Sequence, residues 1–153
     1  MRILALALIA TPALADDAPV VPHFLDETAT AGLATSYTGE WEFMAGGGVA
    51  AFDCSGDGKP ELYTAGGTAP STLFLNESPT GGALKFTAKP SGAELDRVTG
   101  AYPLDIDGDG IMDLVILRSG EDVLMRGQGN CRFIRANEEW GFTGGVALIA
   151  LYG

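Results

Sequence analysis

An acidic loop at residues 105–113 is the feature that most constrains this chain. Carboxylates stand at loop positions one, three, five and nine, and Gly110 stands at position six. This spacing gathers hard oxygen ligands around one cation, and the glycine permits the sharp turn between them. Calcium is expected rather than magnesium, which retains its waters, and the loop contains no His or Cys that would favour zinc or copper. The predicted ligands are Asp105, Asp107, Asp109, Ile111 through its carbonyl, and Asp113.

The residues that flank the loop exclude an EF-hand. An EF-hand loop ends with a bidentate Glu at position twelve and lies between helices, whereas position twelve here is Ile116. The apolar run at residues 114–117 is typical of a buried strand, and residues 101–104 are poor helix formers. The sequence therefore predicts a strand–calcium loop–strand unit, with an acidic surface turn that binds no metal as the alternative.

A second copy of this unit lies 52 residues earlier, at residues 46–63. Asp53 aligns with Asp105, Gly58 with Gly110, and the apolar residue after each loop is also retained. A period near fifty with short strands indicates a repeat architecture of propeller blades. The metal-site residues predicted in this first loop are Asp53, Ser55, Asp57, Lys59 and Glu61.

The predicted fold is all-β, with two four-stranded repeats and the start of a third. Gly is abundant, at 22 residues, and long helical patterns are scarce. Hairpins at residues 72–76 with 84–87, and 122–126 with 131–134, complete the two repeats. The expected boundaries are 16–45 for an N-terminal segment, 46–98 and 99–136 for the repeats, and 137–153 for a truncated third repeat. Two blades cannot close a ring, so we expect an incomplete propeller.

The first fifteen residues predict export. Arg2 precedes an apolar run too short to span a bilayer, and residues 13–15 give a small-x-small cleavage pattern. Cleavage after Ala15 places the mature chain in the periplasm or outside the cell, and no later stretch is long enough for membrane insertion. The net charge of −11 becomes −12 once Arg2 is removed. This charge argues against nucleic acid and anionic membranes as partners.

Two cysteines, Cys54 and Cys131, are present in the chain. Because exported proteins occupy an oxidising compartment, we expect a disulfide between them. Two separate free thiols are the alternative.

These motifs together resemble the FG-GAP/VCBS repeat families. The closer resemblance is to exported proteins of the cartilage acidic protein type, which carry an associated ASPIC/UnbV domain. It rests on residues 24–29, 32–33, 46–53, 56–58, 73–76 and 105–110. The resemblance implies blades of a larger propeller, calcium-dependent structure, and extracellular binding or adhesion.

The function expected from these features is that of a calcium-binding module and not of an enzyme. A Ser-His-Asp triad would depend wholly on His23, and neither a phosphate-cradling loop nor a dinucleotide fingerprint is present. No catalytic residue is predicted, and the expected partner is an unidentified protein or carbohydrate ligand. The alternative is the N-terminal part of a propeller-bearing polysaccharide lyase or hydrolase, with its catalytic residues elsewhere.

Overall fold

Two four-stranded antiparallel sheets follow one another along the chain. The computed structural model describes residues 21–144 and the backbone of residues 146–147. The first sheet contains β1 (Val49–Phe52), β2 (Glu61–Thr64), β3 (Thr72–Asn76) and β4 (Phe86–Ala88), in that order. The second contains β5 (Val98–Leu104), β6 (Asp113–Arg118), β8 (Val123–Gly127) and β9 (Phe133–Arg135), also in chain order. A short 3-10 turn (Trp41–Phe43) precedes β1.

This architecture confirms the predicted all-β fold with two propeller-like repeats, and neither sheet closes on itself. The strand bounds differ from the predicted hairpins at the outer strands. β4 begins at Phe86, because Leu84 and Lys85 lie in the preceding loop. Cys131 lies in the turn before β9 and not in the strand, with a left-handed φ of 56°.

A third, smaller sheet joins β7 (Gly120–Glu121) to β10 (Val146–Ala147). β10 falls within the segment predicted to start a third repeat. The predicted signal peptide at residues 1–15 and the last six residues lie outside the described part of the chain. Within that part, no helix is long and apolar enough to cross a membrane.

The main core lies between the two sheets. Alternating residues of each strand face inward, as the register shows: Tyr63 pairs with Ala50 and Leu73, while Ile116 pairs with Ala101 and Val123. All of these side chains except Ala101 belong to one buried cluster, and the partly buried Ala101 packs against it. Burying a side chain of this size contributes roughly 1.5–3 kcal/mol, so each sheet is stabilised largely by covering the other.

A second cluster lies on the opposite face of the first sheet. There the N-terminal segment places Ala31 against Phe74 and Phe86. The backbone N–H of Phe86 donates to the carbonyl of Ala31 at 2.7 Å. The segment before β1 is therefore part of the first repeat's packing.

Candidate metal centre

The first acidic loop connects β1 to β2, and its first carboxylate organises the turn. Asp53 Oδ1 accepts the backbone N–H of Gly56 at 2.7 Å, and Oδ2 accepts that of Gly58 at 2.8 Å. Both glycines adopt left-handed φ angles near 80°, which side-chain-bearing residues rarely adopt. The N–H of Gly58, followed by that of Gly56, holds the pKa of Asp53 below its ordinary value. Asp53 is thus kept ionised at the centre of the loop.

The second loop connects β5 to β6 and repeats this arrangement. Asp105 accepts the N–H of Gly108 on Oδ1 at 2.8 Å and that of Gly110 on Oδ2 at 3.1 Å. The loops therefore fold alike although they differ at positions two, three, seven, eight and nine.

The acids at position five also accept a local backbone bond. Asp57 accepts the N–H of Lys59 at 2.9 Å, and Asp109 accepts that of Ile111 at 2.7 Å. The Lys59 N–H is the largest cause that lowers the pKa of Asp57. Lys59 and Ile111 thus occupy equivalent positions, each with its backbone N–H engaged by the loop.

The residues at position three differ in chemistry. Ser55 Oγ lies 3.4 Å from Asp53 Oδ1, whereas Asp107 Oδ1 accepts the N–H of Asp109 at 3.2 Å. The second loop therefore offers one carboxylate more than the first at this position.

The final acid of each loop is buried at the start of a strand. Glu61 Oε2 accepts the N–H groups of Cys54 and Ser55 at 2.9 and 3.2 Å. Asp113, with no exposed surface, accepts the N–H of Ile106 at 2.8 Å on Oδ2 and that of Gly127 at 2.8 Å on Oδ1. The sequence analysis treated both acids as metal ligands only and missed that they also accept backbone N–H groups. For Asp113, the bond to Gly127 joins two separate strands and has no signal in the local sequence.

Two groups of carboxylates converge closely enough to share one cation. In the first group, Asp53, Asp57 and Glu61 each place an oxygen within 4.8 Å of the others. In the second, Asp105, Asp107 and Asp109 do the same, and Asp113 is not a member of this group. Clustered carboxylates repel one another, and a divalent cation relieves that repulsion. This all-oxygen donor set suits a hard cation such as calcium.

The local charge differs between the two groups. Lys59 Nζ lies 3.5 Å from Asp57 Oδ2 and partly offsets the negative charge of the first loop. Among the described residues, no Lys or Arg forms an ion pair with Asp105, Asp107 or Asp109. The second loop is the more negative site.

A disulfide joins the first loop to the second sheet. The Sγ atoms of Cys54 and Cys131 are 2.02 Å apart, and the N–H of Cys131 donates to the carbonyl of Cys54 at 3.0 Å. Cys131 Sγ also lies 3.6 Å from Glu61 Oε2. Both sulfurs are in the disulfide, so neither has a proton to donate or a thiolate that could bind a metal. The contact between Cys131 Sγ and Glu61 is therefore a packing contact.

Consecutive four-stranded sheets, each with an acidic loop between its first two strands, define a class of all-β repeat with an acidic loop. Residues 53–116 match the family model described as an FG-GAP-like repeat. The matched span begins at the first acid of the first loop and ends within β6, so it contains both loops. The resemblance to FG-GAP repeats is thereby confirmed over these residues. No curated protein and no solved structure matches the chain.

Proposed function

We propose that the chain is an exported calcium-binding repeat module with a structural, binding or adhesion role. The convergence of three carboxylates at the same place in two successive repeats supports this proposal. Calcium would be held by Asp53, Ser55, Asp57, Glu61 and the carbonyl of Lys59 in the first loop. In the second it would be held by Asp105, Asp107, Asp109 and the carbonyl of Ile111, with Asp113 supporting the loop.

Export and the kind of partner belong to the same proposal. The signal-like residues 1–15 support a periplasmic or extracellular location, where calcium is abundant and a disulfide persists. The strong negative charge supports a protein or carbohydrate ligand over nucleic acid. The resemblance of residues 24–33 to the cartilage acidic protein type favours binding or adhesion. No catalytic role is proposed for the acidic residues, since local backbone bonds and metal binding account for them.

Isothermal titration calorimetry with calcium, on protein freed of metal with a chelator that is then removed, tests the proposal. We expect two sites, with the second loop filling first because ligand charge raises affinity and Lys59 opposes it in the first loop. Asp107→Ala should abolish the tighter site and Asp57→Ala the weaker one. Heat signals that neither substitution changes would show that the loops bind no metal.

A thermal melt gives an independent readout of the same sites. Calcium binds the folded loops and hardly the unfolded chain, so it should stabilise by about 2.7 kcal/mol per site at a hundredfold excess over the dissociation constant. Melts followed by circular dichroism in EDTA and in millimolar calcium should therefore differ by several degrees. Identical melting temperatures would contradict calcium binding.

A further inference from the structure

Two ten-residue segments, one near each end of the described chain, share a sparse pattern of residues. Residues 24–33 read FLDETATAGL, and residues 133–142 read FIRANEEWGF. Each begins with Phe followed by a branched aliphatic residue, and each has Gly at its ninth position followed by a large apolar residue. Because few residues are identical, the two segments can be called equivalent only if their backbones fold alike.

Both segments form the same turn. The N–H of Ala31 donates to the carbonyl of Glu27 at 2.8 Å, and the N–H of Trp140 donates to the carbonyl of Ala136 at 2.9 Å. The next residue, Gly32 or Gly141, has a left-handed φ of 80° or 64°. Residues 27–33 and residues 136–142 are therefore equivalent turns; the first precedes β1 and the second precedes β10.

The residue before a left-handed glycine docks on an outer strand twice within the chain, once in the turn at residues 27–33 and once in the loop at residues 91–92. The N–H of Phe86, in β4, donates to the carbonyl of Ala31 at 2.7 Å. The N–H of Phe133, in β9, donates at 2.8 Å to the carbonyl of Ser91, the residue before Gly92. A Cβ added to Gly32 or Gly92 would collide with the carbonyl oxygen of the same Phe.

The turn at residues 136–142 has no such strand in the described part of the chain. A Cβ at Gly141 would meet no atom within 4 Å. Trp140 is half-buried, whereas its counterparts Ala31 and Ser91 are buried beneath an outer strand. Among the described residues, no backbone N–H donates to the Trp140 carbonyl.

At the N-terminal end, residues resembling an outer strand lack a turn to pack against among the described residues. Residues 24–26 align with β9, and Phe24 aligns with Phe133, the residue that donates to a turn. Phe133 and its equivalent Phe86 are 4% and 8% exposed, whereas Phe24 is 93% exposed. Leu25 is also exposed. Residues 24–26 thus have the pattern of an outer strand that has no sheet among the described residues.

We propose that these two ends bind each other between copies of this chain. Residues 24–26 of one copy lie as an outer strand against residues 136–142 of the next, and the Phe24 N–H donates to the Trp140 carbonyl. Within the chain, Phe133 packs edge-on against Phe52 of the preceding sheet, with ring centroids 6.2 Å apart. By the same rule, Phe24 packs on the outer face of the partner's second sheet.

That outer face carries several apolar residues beside Arg126, and it is incompletely covered. Tyr102 pairs with Val115, which pairs with Leu124, so these three residues share the face opposite to the core. Ile134 lies on the same face through its pairing with Arg126, and both Tyr102 and Ile134 are exposed. Because residues 24–26 of one copy meet residues 136–142 of the next, the contact is head-to-tail and produces open chains of copies.

Charge sets the conditions under which association should be seen. Each copy carries a net charge of −11, so copies repel one another at low salt. Salt near 0.3 M screens this repulsion without weakening the apolar contact. Association should therefore strengthen as salt rises, opposite to a contact formed by ion pairs.

Sedimentation velocity of the full chain at rising concentration in this salt tests the proposal. We expect the weight-average mass to increase with concentration, and Phe24→Asp to weaken association by at least about tenfold. Since the Phe24 side chain is exposed, this variant keeps the fold, which circular dichroism verifies. Met44→Asp, at another exposed apolar residue, is the matched control and should associate like the original chain.

A photo-crosslinker in place of Phe24 identifies the contact itself. With equal amounts of copies labelled by nitrogen-14 and nitrogen-15, we expect mixed-isotope crosslinks between position 24 and residues 136–142. A monomer at every concentration, equal association of the Phe24→Asp variant, or crosslinks confined to one copy or to other residues would each overturn the proposal.

Discussion

Asp113 offers the sharpest test of how the loops are built, because it separates support of the loop from binding of the metal. Its carboxylate is wholly buried and accepts backbone N–H groups from Ile106 and Gly127. Asp113→Ala leaves both donors without a partner. A hydrogen bond to a charged group contributes roughly 1.5–3 kcal/mol, so the loss should be about 3–6 kcal/mol. That is a large part of the 5–15 kcal/mol typical of a domain of this size.

The measurement is urea unfolding in EDTA, where metal binding makes no contribution. Asp107→Ala is the matched control, since Asp107 is exposed and accepts only a local bond from Asp109. It should change the free energy of unfolding in EDTA by less than about 0.5 kcal/mol while removing calcium affinity. Asp113→Asn retains one acceptor oxygen and should fall between the two, which provides a measurable variant if Asp113→Ala does not fold. Equal unfolding midpoints for Asp113→Ala and Asp107→Ala would refute the assigned role.

Three further predictions concern the disulfide, acid stability and backbone geometry. Cys54 and Cys131 are 77 residues apart, so replacing both by Ser should lower the free energy of unfolding by about 4.5 kcal/mol in the chain-entropy model. Urea titration measures this loss, and a value below about 1 kcal/mol would contradict the prediction. Because the folded pKa of Asp53 is lowered, its contribution is present above the ordinary Asp pKa and is lost as pH falls through the folded value. Unfolding free energy measured in EDTA should therefore decrease below about pH 4, and Asp53→Asn should flatten that decrease. Gly92→Ala should destabilise by about 1–3 kcal/mol more than Gly129→Ala, since both have a left-handed φ but only the first would collide with a carbonyl; equal unfolding midpoints would argue against that docked turn.

The features that the sequence predicted well are those that depend on local spacing. The four-stranded repeats and their loops follow from alternating apolar residues and from carboxylates around a glycine, all within a few residues of one another. The spacing of Asp105 and Gly110 alone indicates the turn that the structure contains.

What the sequence could not predict depends on contacts between distant residues. β4 begins at Phe86, which pairs with Asn76 of β3, and the contact of its N–H with Ala31 is not shown by the local pattern of residues 84–87. The support that Asp113 gives to Gly127 is equally hidden. The likeness of residues 24–33 to residues 133–142 could have been noticed through the shared Phe and Gly, yet only the turn geometry makes it meaningful.

The shared core between the sheets has a consequence for how the chain is made. Leu73 packs in the same cluster as Phe133, and the residues between them must leave the ribosome before that cluster is complete. The first sheet is complete once Ala88 has been made, so at synthesis rates of about 5–20 residues per second it would wait roughly 2–9 seconds for Phe133 with its inner face bare. During that interval Cys54 has no partner, because Cys131 has not yet been made. The nascent chain is therefore most exposed to aggregation midway through its synthesis, and holding it unfolded until the second sheet emerges would protect it.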